Sequence, residues 1–193
     1  IESNSYLAQE SKMGQRDFNK LAVGAAAILM LPPVANALEV VGHDVMVNTP
    51  DGDADCYFVH PAKGKHPGVI IWPDILGLRP AFRLMGERLA KSGYSVLVVN
   101  PYYRSARSPV IEPGASFQDA ETRNMVMPYY SALSAETNVT DAKAYVSYLD
   151  AQNSVDVKRK IGTTGYCMGG PMVMRTAAAI PERIGAGGSF QGG

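Results

Sequence analysis

From Leu38 onward the apolar positions fall into short runs divided by turn-forming residues. Leu38–Val47 is rich in valine and partly alternating, and Cys56–Val59 repeats the pattern; the turn signal Asp51-Gly52 between them predicts a hairpin. Pro61–His66 is a polar loop. Gly68-Val69-Ile70-Ile71-Trp72 is a continuous apolar run, as in a strand covered on both faces within a mainly parallel sheet. After the loop Pro73–Gly77, Phe82, Met85, Gly86 and Leu89 recur at helical spacing, which predicts a helix over Pro80–Ser92 with Pro80 in its first turn and Gly93 at its end. Tyr94–Val99 is a second buried strand, and Asn100–Phe117 a long loop of the kind that shapes binding sites. Ser116-x-x-Asp119 predicts a helix start by a capping-box-like arrangement. Thr140–Leu149 reads as a helix, Lys160–Gly165 as a strand, Gly169–Ile180 as a helix and Ile184–Phe190 as a strand. A hairpin followed by β-α-β-α-β-α-β specifies an α/β fold with a mainly parallel sheet.

Composition narrows the function classes. The 193 residues suffice for one domain, and 46% hydrophobic against 19% charged residues is a globular balance. Lysine plus arginine equals aspartate plus glutamate, 18 against 18, without like-charged blocks, so nothing points to nucleic acid or an anionic membrane as partner. Cys56 and Cys167 form neither a disulfide framework nor a zinc pattern, and no metal or organic cofactor is implied.

The N-terminal region differs in character. The chain begins at Ile1, and residues 1–12 read as an upstream or non-native extension. Met13 opens a short basic region through Lys20, followed by the apolar run Leu21–Leu31 and by Ala35-Asn36-Ala37. That order is expected of an export signal over 13–37, cleaved after Ala37 to leave a periplasmic protein, and the apolar run is too short for a stable membrane span. Arg16, Phe18 and Lys20 resemble the twin-arginine type, with Gln15 where its first arginine would stand.

The chemistry concentrates at Gly165-Tyr166-Cys167-Met168-Gly169-Gly170, between a predicted strand and a predicted helix. A nucleophile on a strand-to-helix turn needs neighbours without side chains, and Gly165 and Gly169 meet that need. The turn lifts Cys167 above the sheet edge and points a helix N-terminus at it, which favours developing negative charge. The backbone N–H of Met168 is one oxyanion donor. Cys56 lies inside a strand pattern and reads as a small buried hydrophobe.

This hexapeptide is similar to the nucleophile elbow of the dienelactone hydrolase (carboxymethylenebutenolidase) family. Gly68–Ile71 followed by Asp74-Ile75-Leu76-Gly77-Leu78 resembles that family's third strand and its loop, and Gly93–Tyr103 its next strand and end. The resemblance runs from about Leu38 to the C-terminus. It implies a three-layer α/β-hydrolase sandwich over 38–193, incomplete at its C-terminal end. It places Asp74 where the family has a glutamate beside the nucleophile, makes Ile75 the second oxyanion amide, and makes Arg123, with Tyr129 or Tyr130, the group that binds a substrate carboxylate. The family's triad aspartate and histidine come from later loops, and none of His43, His60 and His66 matches, so both are expected beyond Gly193 and the chain alone is expected to be impaired. The implied activity is hydrolysis of a small carboxylic ester or lactone. A general carboxylesterase or acyl transferase, or a non-catalytic binding protein on the same fold, remain as alternatives.

Two outcomes are expected. Protein recovered from a periplasmic fraction should begin Leu38-Glu39-Val40 on N-terminal sequencing, and a cytoplasmic protein retaining Met13 would contradict the export reading. Iodoacetamide followed by peptide mapping should label Cys167 before Cys56 in the folded protein; the reverse order would remove Cys167 as the reactive thiol.

Overall fold

The computed structural model describes residues 32–192. Met13–Leu31 of the expected export signal, and residues 1–12, lie outside them. The segment 35–39, which includes the expected cleavage point, is exposed, and the Leu38 N–H donates to the Lys91 carbonyl at 3.0 Å.

Six strands form one sheet in the order β1-β2-β4-β3-β5-β6: β1 Val40–Thr49, β2 Gly52–Pro61, β3 Gly68–Trp72, β4 Ser95–Val99, β5 Ile161–Tyr166 and β6 Ile184–Phe190. β1 and β2 form the expected hairpin, and β2 also runs antiparallel to β4; β4, β3, β5 and β6 are mutually parallel. Alternation builds two cores. Cys56, Phe58, Ile70, Trp72, Leu97 and Val99 face one side, packed under Tyr145, Val146, Leu149, Met172 and Val173. Tyr57, Val59, Val69, Ile71, Val96 and Val98 face the other, packed under Phe82 and Ala90. The first set of covering residues belongs to helices α3 (Ala135–Asp150) and α4 (Gly169–Ala179), the second to α1 (Pro80–Lys91). The result is the expected three-layer sandwich, each large buried side chain contributing about 1.5–3 kcal/mol.

α1 begins with Pro80 at its first turn, and Gly93 follows its end at φ +94°, as the sequence predicts. Gly86 lets α1 lie close on the sheet: a Cβ there would stand 2.8 Å from Val98 Cγ2. Two helix starts differ from expectation. Helix α2 spans Ala120–Ser131, with Asp119, not Ser116, at its N-cap. Ser116 and Asp119 instead close a turn, the Asp119 carboxylate accepting from the Ser116 N–H at 3.2 Å and Ser116 Oγ from the Gln118 N–H at 3.2 Å. α3 starts five residues before the predicted Thr140 because Ser134 and Thr137 form a reciprocal capping box, with threonine in the place where glutamate or glutamine usually signals one.

Ser134→Ala removes the acceptor for the Thr137 N–H at 3.2 Å. The expected loss is about 1 kcal/mol of stability, read as a lower urea midpoint at unchanged slope; an unchanged midpoint would show the cap to be dispensable.

Candidate active site

β5 delivers the chain to the elbow. Its Gly165 pairs with Trp72 of β3 on one side and Ser189 of β6 on the other. Beyond Tyr166, Cys167 turns to φ +52°, a left-handed conformation that a residue with a side chain adopts only under constraint from its surroundings. The constraint is visible: the Cys167 N–H donates to the Phe190 carbonyl at 2.9 Å, and its carbonyl accepts from the Gly170 N–H at 2.9 Å. The side chain is left exposed.

The glycines make this turn possible. A Cβ on Gly165 would fall onto the Gly169 carbonyl, and one on Gly169 onto the Trp72 carbonyl and 2.8 Å from that of Pro73. A Cβ on Gly170 would meet Ser189 and Gly192. The start of α4 therefore lies directly against the end of β3, where the loop carrying Asp74 and Ile75 begins.

That loop is held by charge. Arg79, 8% exposed, donates to both Asp74 carboxylate oxygens, at 2.6 and 2.8 Å, and to the Gly77 carbonyl at 3.2 Å. Asp74 Oδ1 also accepts from the Leu76 N–H at 3.0 Å, closing an Asx turn, and the Gly77 N–H donates to the Asp74 carbonyl at 2.9 Å. Among the described residues, neither the Ile75 N–H nor the Met168 N–H has an acceptor. Tyr102, just past β4, joins their two residues: its hydroxyl reaches the Ile75 carbonyl at 2.9 Å and Met168 Sδ at 3.2 Å. Sequence reasoning passed over Tyr102; its place at the C-terminal end of a parallel strand was the available signal.

The remaining candidates divide. Tyr129 packs its ring 5.7 Å from that of Tyr102, beside the loop pair. Tyr130 is exposed on the same helix. Arg123 is exposed near the start of α2, its Nη1 donating to the Phe117 carbonyl at 3.4 Å. The histidines lie elsewhere. His66 precedes β3 and bonds the Gly93 and Lys63 carbonyls, which puts it about 20 Å along the sheet from the Trp72 end. His60 pairs with Val41 and bonds the Pro61 carbonyl, and His43 lies edge-on to Phe58. Cys56 is 1% exposed, and burial pushes its thiol up. Among the described residues no three metal-ligating side chains cluster, and no helix is long and apolar enough to cross a membrane.

Comparison with known proteins agrees with this geometry. The model of the dienelactone hydrolase family matches residues 54–193. The carboxymethylenebutenolidase of Pseudomonas putida is 29% identical over 118 residues, 61% of this chain and 48% of that protein. That of Rhodococcus opacus is 25% identical over 121 residues, 63% of this chain and 42% of that protein. The chain thus spans about half the length of the curated relatives it matches. Among solved structures, a dienelactone hydrolase-like promiscuous phosphotriesterase from metagenomic libraries superimposes with a TM-score of 0.63 at 22% identity, over 80% of this chain and 60% of the other. The dienelactone hydrolase of Anabaena variabilis does so with a TM-score of 0.58 at 16% identity, over 79% and 64%. With its α/β-hydrolase fold, its strand–elbow–helix junction and a family model matching residues 54 to 193, the chain belongs to the dienelactone hydrolase family.

Proposed function

We propose that the chain carries the nucleophile and oxyanion groups of a carboxylic ester or lactone hydrolase of the carboxymethylenebutenolidase type, acting through Cys167. One observation carries the reading: an exposed thiol held at φ +52° between a strand and a helix N-terminus, with the Met168 N–H following it and the Ile75 N–H on the loop packed against the same helix start, both without acceptors among the described residues.

The chemistry follows from those positions. The Cys167 thiolate attacks the carbonyl carbon; a C–S bond forms and the carbonyl π pair moves to oxygen. The Met168 and Ile75 N–H groups donate to that oxyanion, and the N-terminus of α4 favours the same charge. When the carbonyl re-forms, the ester or lactone C–O bond breaks, and the departing oxygen takes a proton. Water then attacks the thioester, releasing the acid and the thiol. Asp74, bound to Arg79, holds the Ile75 loop. Arg123, with Tyr129 on the same helix, is the candidate for a substrate carboxylate, with Tyr130 beside them. Neither His43, His60 nor His66 stands at this end of the sheet, so complete turnover needs a base other than these three, and the 193 residues alone turn over slowly.

Acylation is the step to test. Wild-type protein mixed with p-nitrophenyl acetate should release about one equivalent of nitrophenol quickly and more only slowly, with the acetyl group on Cys167 by mass spectrometry. Cys167→Ala should abolish the burst while leaving the circular dichroism spectrum intact. A folded Cys167→Ala protein that keeps the burst would overturn the assignment.

A further inference from the structure

Tyr102 is held so that its side chain has one place to go. Its N–H donates to Asn100 Oδ1 at 2.9 Å, it is 1% exposed, and its ring packs against that of Tyr129. Its hydroxyl has one hydrogen and two neighbours, the Ile75 carbonyl oxygen at 2.9 Å and Met168 Sδ at 3.2 Å. A carbonyl oxygen is the stronger acceptor and a thioether a weak one, so the hydrogen goes to Ile75 and the Met168 sulfur rests on the hydroxyl oxygen.

The Ile75 carbonyl and the Leu76 N–H are two edges of a single planar peptide group. Tyr102 grips the carbonyl edge, and Asp74 Oδ1 accepts from the N–H edge at 3.0 Å. Gripping both edges fixes the plane of that peptide. The Gly77 N–H to Asp74 carbonyl bond fixes the chain on either side of Ile75. The direction of the Ile75 N–H follows from these constraints, although among the described residues that N–H has no acceptor of its own.

We propose that Tyr102 is a positioning residue of the thiol site: its hydroxyl aims the Ile75 amide and, through the Met168 side chain, sets the spacing between the two oxyanion donors. This rests on the function proposed for Cys167. The phenol stays protonated, as a donor must, because burial pushes it up, and the negative charge of Asp74 and Cys167 pushes the same way.

Two reagents acting on one thiol separate this role from a merely structural one. p-Nitrophenyl acetate acylates Cys167 through a tetrahedral oxyanion, whereas iodoacetamide alkylates it by displacing iodide with no oxyanion. The ratio of the two rates cancels changes in exposure and in the thiolate fraction. Losing an oxyanion donor outright costs about 10²–10³ in rate, and a misaimed donor keeps part of its effect, so Y102F should lower the ester-to-iodoacetamide ratio about 10-fold while the iodoacetamide rate stays within about two-fold. An unchanged ratio would overturn the proposal. D74A frees the opposite edge of the same peptide and should lower the ratio in the same direction; it keeps the test available if Y102F melts below the assay temperature, and an unchanged ratio there counts equally against the proposal. Failure of the underlying function looks different: C167A would then show the same nitrophenol burst as wild type, whatever stands at position 102.

Discussion

The site depends on the contact of backbone with backbone at Gly165 and Gly169. No side chain fits between the end of β5 and the first turn of α4, nor between that turn and the end of β3. Close approach on both sides forces Cys167 into φ +52° and leaves its side chain no direction but outward. The same approach brings the Met168 amide, at the start of α4, to the loop that follows β3 and carries the Ile75 amide. A methyl group at Gly169 would press on two carbonyl oxygens of the backbone, which cannot move aside as a flexible side chain does. The elbow and the approach of the two amides thus share one steric condition.

Loops around the elbow are fixed by charge, not by apolar packing alone. Asp55 on β2 accepts from the Ser108 N–H and Oγ and from Asn100 Nδ2, at 2.6 to 2.8 Å, tying the long loop after β4 to the hairpin. Asp141, 2% exposed on α3, accepts from Tyr103 and from two nitrogens of Arg104, while Arg104 also pairs with Asp51. Leaving the buried Asp141 without its partners would be costly, so the Asn100–Arg104 segment has little freedom. Tyr102 lies between these anchors and takes its position from them.

These differences explain what could be read in the residue order. β3 and β6 match their predicted bounds; for β3 the signal is local, a continuous apolar run between turn residues. The elbow was legible for the same reason, since its glycines sit at fixed short spacing around the thiol. The starts of α2 and α3 were misplaced because capping depends on which side chain closes which turn: Ser116 and Asp119 bond each other's neighbourhood, and Thr137 does the work expected of a longer acid. The Arg79–Asp74 pair and the Tyr102–Ile75 bond were not legible in pattern. One lies five residues apart in a loop without periodicity, and the other joins residues 27 apart across two strands.

The two amides proposed as oxyanion donors belong to different connections, one after β3 and one after β5, adjacent parallel strands whose register sets Trp72 beside Gly165. Adjacent parallel strands end at the same level, so their C-terminal loops meet without any long excursion of the chain. The sheet brings them within reach but does not aim them: an N–H at a loop residue turns freely unless its neighbouring peptides are held. At Met168 the helix does the holding, because α4 begins one residue later and its backbone is already regular. At Ile75 there is no helix for several residues, and the task falls to side chains: a carboxylate fixed by an arginine on one edge of the next peptide and a phenol on the other. The asymmetry between one amide held by secondary structure and one held by tertiary hydrogen bonds explains why the loop after β3 carries the Arg79–Asp74 ion pair and meets the Tyr102 hydroxyl from the loop after β4.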